Sequence, residues 1–185
     1  MRHRDTKSFF RAEARGRSAP DAGESQRVCE QVTEWLGARK PTPTLVWIAM
    51  SGELDLSPVV EALPQIEWLT TRTPSSGPLT VHPHHSRSEP HRFGFRQPVA
   101  ASPQISPEDI GVVLAPGLVF DRRGGRLGWG KGYYDRLLAQ LTPGVPRVGV
   151  TLERLLVDRV PQESHDILMT HLITERGVRK LGSVG

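Results

Sequence analysis

The sequence has little cysteine, little lysine and no long apolar segment. The single cysteine, Cys29, excludes an internal disulfide and a zinc site built from paired thiolates. No apolar run approaches the roughly 18–20 residues that a membrane-spanning helix needs. The basic N-terminus is not followed by the apolar stretch of a secretory signal. We therefore expect a cytoplasmic protein without a transmembrane segment.

The length and composition are those of one globular domain. The 185 residues leave room for a single ordinary domain, which we expect to span residues 1–185. Hydrophobic residues make up 37% and charged residues 24%, which is enough apolar material for a core. The 18 glycines and 16 prolines indicate a chain rich in loops.

The charge is modestly positive and is carried by arginine. The net charge is +4, and 20 of the 24 cationic residues are arginines. A guanidinium is a planar fork of donors that suits phosphate and carboxylate. The excess is compatible with an anionic ligand such as a nucleotide or RNA, and equally with solvated arginine side chains, so it does not identify a partner.

Apolar segments of strand length alternate with amphipathic segments along the chain. This alternation predicts an α/β fold, with a mostly parallel sheet covered by helices on both faces in a Rossmann-like three-layer domain. Residues 71–106 are expected to be largely irregular, with short strand-like pieces at 78–82 and 91–95. Helices are predicted at 5–17, from Asp21 to Gly37, from Ser57 as N-cap to about Leu63, and at 133–141. Strands are predicted at 44–50, 66–70, 112–116 and 146–152, and the last strand within 165–175.

Residues 117–136 (GLVFDRRGGRLGWGKGYYDR) differ from the rest of the chain. Six of these twenty residues are glycine and five are arginine or lysine, and the segment joins a predicted buried strand to a predicted helix. Glycines allow successive N–H groups to approach an anion, and Arg126 and Lys131 add full charges. The segment predicts a phosphate-binding loop with Gly128, Gly130 and Gly132 as its floor. The alternative is a tight connection whose glycines only serve turns.

Two common phosphate motifs are excluded. Gly130-Lys131 is followed by Gly132, so the serine or threonine of a P-loop is absent. The alternating glycines also lack the two-residue gap before the third glycine of the dinucleotide-binding fingerprint.

The same segment resembles the signature of the 5-formyltetrahydrofolate cyclo-ligase family. The resemblance is carried by Pro116-Gly117, Phe120-Asp121 and the string RLGWGKGYYD from Arg126 to Asp135. It continues at Lys7-Ser8-Phe9-Phe10-Arg11, at MSGELD (50–55) and at Pro161 with Asp166, so it covers most of the chain. It implies ATP-dependent closure of 5-formyltetrahydrofolate to 5,10-methenyltetrahydrofolate. The partners would be small molecules, without nucleic acid or membrane, and the protein would be a monomer.

The resemblance also implies roles for individual residues. Lys131 and Arg126 would be catalytic, and Asp135 and Asp166 would bind Mg²⁺. ATP would contact the N-terminal helix and the glycine-rich loop, at Lys7, Ser8, Phe9, Phe10, Arg11, Arg126, Leu127, Gly128, Trp129, Gly130, Lys131, Gly132, Tyr133 and Tyr134. The formyl substrate would contact Ile48, Met50, Glu53, Trp129, Gly130, Lys131, Gly132 and Tyr133.

Each of these side chains also has an ordinary interpretation. Lys7 and Arg11 could form a solvated helix face, and Glu53 could be a solvated loop acid. Ile48 and Met50 could pack in the core, and Asp135 and Asp166 could be loop or helix-turn carboxylates. His82, His84, His85 and His91 lack metal-ligand spacing, so no metal site is predicted there.

Three positions depart from the family pattern. Thr71-Arg72-Thr73 stands where a proline and a basic residue are usual, Gln97 replaces an acid, and His171 replaces an aspartate. Two other functions therefore stay open. One is another nucleotide- or sugar-phosphate enzyme on the same scaffold. The other is an arginine-rich RNA-binding protein, although the aromatic sheet motif of common RNA modules is absent.

Overall fold

A computed structural model describes residues 6–92 and 94–182 and contains four α-helices and eleven strands in those ranges. The helices are α1 (Lys7–Arg15), α2 (Ala22–Gly37), α3 (Ser57–Ala62) and α4 (Tyr133–Leu138). The strands are β1 (Thr44–Leu45), β2 (Trp68–Arg72), β3 (Thr80–Pro83), β4 (Ser88–Pro90), β5 (Arg96–Pro98), β6 (Val112–Ala115), β7 (Val119–Phe120), β8 (Arg126–Leu127), β9 (Arg147–Val150), β10 (His171–Thr174) and β11 (Gly177–Lys180).

Seven strands form one mixed sheet in the order β11-β10-β9-β6-β1-β2-β3. The five inner strands run parallel to one another, and the two edge strands are antiparallel to their neighbours. Two further hairpins, β4–β5 and β7–β8, lie outside this sheet. The predicted mostly parallel sheet is confirmed.

Both faces of the sheet are buried beneath helices. Along β6 the side chains alternate, so that Val112 and Leu114 pack in a cluster with α2 and α3, while Val113 and Ala115 pack with α4 on the opposite face. The prediction of helices on both faces is therefore confirmed. No helix of the described residues is long and apolar enough to cross a membrane.

Several predicted boundaries were wrong. Only Thr44–Leu45 of the predicted strand 44–50 is a regular strand, although Val46 N still donates to Leu69 O at 2.9 Å. The described residues of the predicted strand-like piece 91–95 form no strand, since His91 N donates to Phe95 O at 2.8 Å in the turn between β4 and β5, and residue 93 lies outside the described residues. The strand β10 is not the last one, because β11 returns beside it.

The start of α3 also differs from the prediction. Ser57 is not the N-cap but the first helical residue, and both its N–H and its hydroxyl donate to Oδ1 of Asp55, at 2.9 and 2.7 Å. The N-cap is Leu56, which makes no side-chain capping bond, and the Asp55 carboxylate instead accepts from the first helical residue. In α2, by contrast, the helix begins where Pro20 and Asp21 predict, and Asp21 is its N-cap in a reciprocal capping box with Glu24.

Candidate functional site

The loops that follow β1 and β6 leave the sheet at the point where the strand order reverses. From β1 the chain moves outwards to β2, whereas β6, β9 and β10 follow one another on the other side. Ligands of open α/β sheets bind in the crevice beyond such a switch point. The two loops meet where Trp129 Nε1 donates to Glu53 Oε1 at 3.4 Å.

The glycine-rich segment is held in shape by a buried aspartate. Asp121 is 1% exposed, and its carboxylate accepts hydrogen bonds from the N–H groups of Arg123 at 2.9 Å, Gly125 at 2.8 Å and Val160 at 2.8 Å. A side chain at Gly125 would place a carbon 2.4 Å from Asp121 Oδ2. The sequence motif contained Asp121 but suggested no role for it. In the structure, its carboxylate stabilises the β7–β8 turn by accepting these hydrogen bonds.

The N-terminal helix docks directly on this loop. Arg11 Nε donates to the carbonyl oxygen of Gly128 at 3.0 Å. Gly130 has φ +99°, and a Cβ there would lie 3.2 Å from Arg11 Cζ, so only glycine allows this close approach. Phe10 and Ala14 pack on a small apolar cluster of Val119, Leu127 and Val160. The two segments that the resemblance assigns to ATP binding are therefore in direct contact.

Lys7 forms the second polar attachment of α1. Its ammonium donates to Asp166 Oδ1 and Oδ2 at 2.9 and 2.7 Å and to Glu163 Oε2 at 3.1 Å. Burial lowers the pKa of Lys7, but the hydrogen bonds that its ammonium donates to these carboxylates, together with their charge, outweigh this effect, so the pKa lies above its ordinary value. Burial raises the pKa of Asp166, and the Lys7 ammonium reverses this, so that pKa lies below its ordinary value.

Arg126 forms the buried cationic part of the site. Its side chain is 4% exposed, and Nη2 pairs with Asp135 Oδ1 at 2.9 Å. The guanidinium carbon lies 5.6 Å from the centre of the Tyr134 ring, and burial raises the pKa of Tyr134 to about 12. Arg126 Nε is buried and has no hydrogen-bond partner among the residues that the structure describes.

Lys131 and Trp129 are the exposed parts of the loop. The Trp129 side chain is 50% exposed, an unusual state for a large aromatic residue. Lys131 is exposed at the turn before α4, and within residues 6–92 and 94–182 it makes no ion pair. Gly132, with φ +62°, ends the loop at the N-cap of α4. Both exposed side chains are therefore available to a ligand.

Glu53 lies beside the cavity at the end of β1. Its Oε2 accepts from Met50 N at 2.9 Å, and burial raises the pKa of its carboxyl above the ordinary value, against the opposing effect of its two donors. The cavity has a volume of about 470 Å³ and is lined on this side by Ile48, Met50 and Glu53. These three predicted substrate residues are thus brought together.

A second part of the cavity lining was not predicted from the sequence. It consists of His84, Ser86, Ser88 and Arg96, in the segment expected to be irregular. The hairpin β4–β5 and the residues before it bring these polar side chains to the same cavity as Glu53. The only sequence signal was the density of histidine, serine and arginine in that segment.

Not every predicted residue offers its side chain to the site. Leu127 is fully buried in the cluster beneath α1, so only its backbone can reach a ligand there. Ser8 is exposed and shares a hydrogen bond with Thr6. Phe9 and Phe10 contact each other edge to face with ring centres 6.0 Å apart. Tyr133 lies with the Arg136 guanidinium carbon 5.1 Å from its ring centre.

The positions that depart from the family pattern have structural partners. Gln97 is buried and its Oε1 accepts from Thr73 N at 3.0 Å. Arg72 pairs with Glu89 and also donates to Pro98 O. His171 contacts Trp35 edge to face, with ring centres 5.3 Å apart, at the beginning of β10.

The structure also bears on metal binding. His82 is buried between Thr80 and Pro103, with hydrogen bonds of 2.8 Å to each. Of the residues that the structure describes, Glu163, His165 and Asp166 bring potential ligand atoms together, but the Lys7 ammonium already occupies their carboxylates. The histidines at 82–91 form no such group within the same ranges.

Comparison with known proteins links this site to one family. Residues 12–175 match the family model of the 5-formyltetrahydrofolate cyclo-ligase family. The chain is 41% identical to the 5-formyltetrahydrofolate cyclo-ligase of Mycolicibacterium smegmatis over 90 residues, which span 46% of this chain and 45% of that protein. It is 31% identical to the enzyme of that name from Escherichia coli K12, over 70% of this chain and 75% of that protein.

Solved structures show the same fold. The NMR structure of Aquifex aeolicus 5,10-methenyltetrahydrofolate synthetase superposes with a TM-score of 0.77 at 30% identity, covering 97% of this chain and 94% of that one. A synthetase of the same name from Mycoplasma pneumoniae gives a TM-score of 0.75 at 20% identity, over 91% and 98% of the two chains. From the family model and these relatives, the chain belongs to the 5-formyltetrahydrofolate cyclo-ligase family.

Proposed function

We propose that this protein closes 5-formyltetrahydrofolate to 5,10-methenyltetrahydrofolate and converts ATP to ADP and phosphate. Family membership implies a ligase of one-carbon metabolism with ATP as co-substrate. The observation that carries the proposal is the contact between α1 and the glycine-rich loop. Through the Arg11–Gly128 bond, two cationic segments far apart in sequence converge beside a cavity lined by an acid.

The reaction needs activation of a poor electrophile. A formamide oxygen is a poor leaving group, so it first takes the γ-phosphoryl group of ATP, and ADP leaves. N10 then attacks the activated carbon, the new C–N bond forms, and the C–O bond to phosphate breaks. N10 loses its proton in this step. Phosphoryl transfer requires positioning and charge stabilisation more than covalent participation of the protein.

The ATP phosphates would lie between α1 and the loop. Lys7 and Arg11 would face them from the helix, and the N–H groups of Gly128, Gly130 and Gly132 would face them from the loop. Because Lys7 is paired with Asp166, its ammonium must exchange a carboxylate for phosphate when the nucleotide binds. The same exchange would bring a carboxylate next to the phosphates.

Lys131 is the candidate stabiliser of the transferring group. It is exposed between two flexible glycines and is not held by a carboxylate within the described residues. Arg126 would act from below the loop as a fixed charge, because its pairing with Asp135 and its burial prevent it from moving. Preorganised charge of this kind stabilises a transition state without reorganisation.

The pterin ring would bind at the end of β1. The Glu53 carboxylate would accept from the amine and amide donors of the ring, and Ile48, Met50 and Trp129 would cover its faces. The Glu53–Trp129 contact supports this arrangement, because it brings the exposed aromatic side chain next to an acid that lines the cavity. Tyr133 would complete the boundary with the nucleotide.

A magnesium ion would fit here once nucleotide binding draws the Lys7 ammonium away from the Asp166 carboxylate. Asp135 and Asp166 offer hard carboxylate oxygens, and Asp135 Oδ1 accepts from Ile167 N at 3.5 Å, so Asp135 lies beside the residue that follows Asp166. Mg²⁺ commonly uses one or two carboxylates together with waters and phosphate oxygens. We propose these two residues as its ligands. When bound, the ion would neutralise negative charge on the phosphates.

We further propose that the chain acts as a single cytoplasmic domain and as a monomer. Support for one domain comes from the two large apolar clusters, which cover opposite faces of the same strands. Light scattering of the purified protein would test the monomer.

One assay tests the proposed function directly. Protein, ATP, magnesium and 5-formyltetrahydrofolate are mixed, and formation of the methenyl product is followed by its absorbance. We expect one ADP for each methenyl group formed, and no product when ATP is omitted. ATP consumption without the methenyl absorbance would indicate another nucleotide-dependent enzyme on this scaffold.

A further inference from the structure

The cavity at the end of β1 has a second polar wall that the proposed chemistry does not use. Its volume of about 470 Å³ is within the range of small-molecule sites. The first wall is defined as the lining from the segment after β1, which includes Ile48, Met50 and Glu53, and the second wall as the lining from the β4–β5 region, which includes His84 and Arg96. The pterin end of the formyl substrate would contact the first wall only, so the proposed chemistry leaves the second wall without a ligand group.

The two walls differ in charge. On the first wall, Glu53 accepts from Met50 N and Trp129 Nε1, and Asp55 accepts from the backbone and hydroxyl of Ser57. On the second wall, Arg96 is the cation. The cavity is thus lined by carboxylate acceptors on the first wall and by a guanidinium on the second.

The Arg96 guanidinium is oriented by its own hairpin. In β5 its Nε donates to Ser88 Oγ at 2.9 Å and its Nη2 to Ser88 O at 2.7 Å. The remaining nitrogen of the Arg96 guanidinium, Nη1, donates to no acceptor among residues 6–92 and 94–182. A guanidinium held along one edge loses less rotamer freedom when it binds an anion than a free side chain does.

We propose that Arg96 binds a carboxylate of the glutamate tail of the formyl substrate, with His84 beside it. This inference rests on the proposed function. A reduced folate carries amine and amide donors at its pterin end and carboxylates at its glutamate end. The cavity offers a partner for each end, because the acid Glu53 and the cation Arg96 both line it. Arg96 is therefore a specificity residue that selects substrates bearing the glutamate tail.

His84 provides a neutral donor at this wall. Burial, followed by the charge of His85, lowers the pKa of the His84 imidazole below its ordinary value. The ring is therefore neutral at physiological pH and offers one N–H. The backbone N–H of His84 is already used, because it donates to Trp68 O at 2.8 Å.

The experiment compares two substrates and three proteins. The substrates are 5-formyltetrahydrofolate and its analogue in which both glutamate carboxylates are primary amides. The proteins are the wild type, Arg96→Gln and the control Arg87→Gln, which changes an exposed arginine of the same segment that does not line the cavity. KM for each folate, KM for ATP and kcat are measured.

We expect Arg96→Gln to raise KM for 5-formyltetrahydrofolate about tenfold, the effect of one charged hydrogen bond. KM for the diamide, kcat and KM for ATP should stay within about twofold of the wild type, and Arg87→Gln should change nothing. Arg96→Lys keeps the charge and should recover part of the rise in KM for 5-formyltetrahydrofolate. That recovery would show that the effect does not come from misfolding.

Two results would overturn the inference alone. One is an equal rise of KM for both folates in Arg96→Gln, and the other is a rise in KM for ATP instead. If the wild type converts neither folate, the proposed function fails and the inference fails with it, so the two failures are distinguishable.

Discussion

The ammonium of Lys7 donates to both carboxylate oxygens of Asp166, at 2.9 and 2.7 Å, across 159 residues of sequence. The pair attaches the N-terminal helix to the segment before β10. The pKa of Asp166 is lowered, so the carboxylate's contribution to stability is present at neutral pH and is lost as the pH falls through that pKa. The pKa of Lys7 is raised, so its contribution is lost only in strong alkali.

Replacing Lys7 should affect both stability and nucleotide binding. We expect Lys7→Gln to lower the free energy of unfolding by about 1 kcal/mol or less at neutral pH, and by less in acid, where Asp166 is protonated. KM for ATP should rise about tenfold, the loss of one charged hydrogen bond. Urea unfolding at both pH values and ATP kinetics measure these effects. An unchanged KM for ATP would leave Lys7 as a structural residue only.

Lys131 should act on turnover more than on binding. We expect Lys131→Ala to lower kcat roughly 10²-fold, as for the loss of one electrostatic stabiliser of a transition state, while KM for ATP changes less. Steady-state kinetics give both values. Lys40→Ala, which removes an exposed lysine just after α2, is the control and should behave as the wild type. Near-normal turnover of folded Lys131→Ala would remove this residue from the catalytic set.

Glu53 should make folate binding depend on pH. Burial raises the pKa of its carboxyl, so the anion that would bind the pterin is lost at a higher pH than for an ordinary glutamate. We therefore expect KM for the formyl substrate to rise as the pH falls through this pKa. Glu53→Gln should have a higher and pH-independent KM for the folate and an almost unchanged KM for ATP. Equal losses for both ligands would contradict a pterin role.

The magnesium requirement should identify the carboxylate ligands. We expect Asp135→Asn to raise the magnesium concentration needed for half-maximal activity, and Asp166→Asn to do so more mildly, through an outer-shell water. The titration is done at saturating ATP, with Asp109→Asn as an exposed control. If both variants keep the wild-type requirement, these carboxylates are structural and the metal enters on ATP alone. Thermal unfolding must accompany the assay, because Asp135 also pairs with buried Arg126.

Asp121 should be essential for stability rather than for chemistry. Asp121→Ala leaves the N–H groups of Arg123, Gly125 and Val160 without their acceptor in a buried place. We expect a loss of about 3 kcal/mol or more in the free energy of unfolding, measured by urea denaturation. Asp158→Asn, a change at an exposed position nearby in sequence, should leave it within about 0.5 kcal/mol of the wild type.

The sequence predicted best the elements that have a distinct residue pattern, such as an apolar stripe on a helix or a cluster of glycines and cations. Asp21 and the apolar stripe of α2 indicated that helix, and the glycines and cations of 117–136 indicated the loop on which α1 docks. The edge strand β11 was missed because most of its side chains are exposed, so it has no apolar signal. The strand β1 was predicted too long because burial of Val46 and Trp47 continues after regular pairing ends.

Contacts between distant segments could not be predicted from composition or periodicity. Nothing local to Asp121 indicates that its carboxylate meets Val160, and nothing near Arg96 indicates that it shares a cavity with Glu53. Such pairs depend on how the loops leave the sheet. The fold class followed from local patterns, whereas the second wall of the cavity required tertiary structure.

The docking of α1 has a consequence for biosynthesis. A chain is made from its N-terminus, so this helix leaves the ribosome long before Gly128 and Asp166, the residues that its side chains contact. The proposed phosphate-binding surface between them cannot assemble until most of the chain has been translated. A prematurely terminated product would carry Lys7 and Arg11 without their counterparts and would not consume ATP.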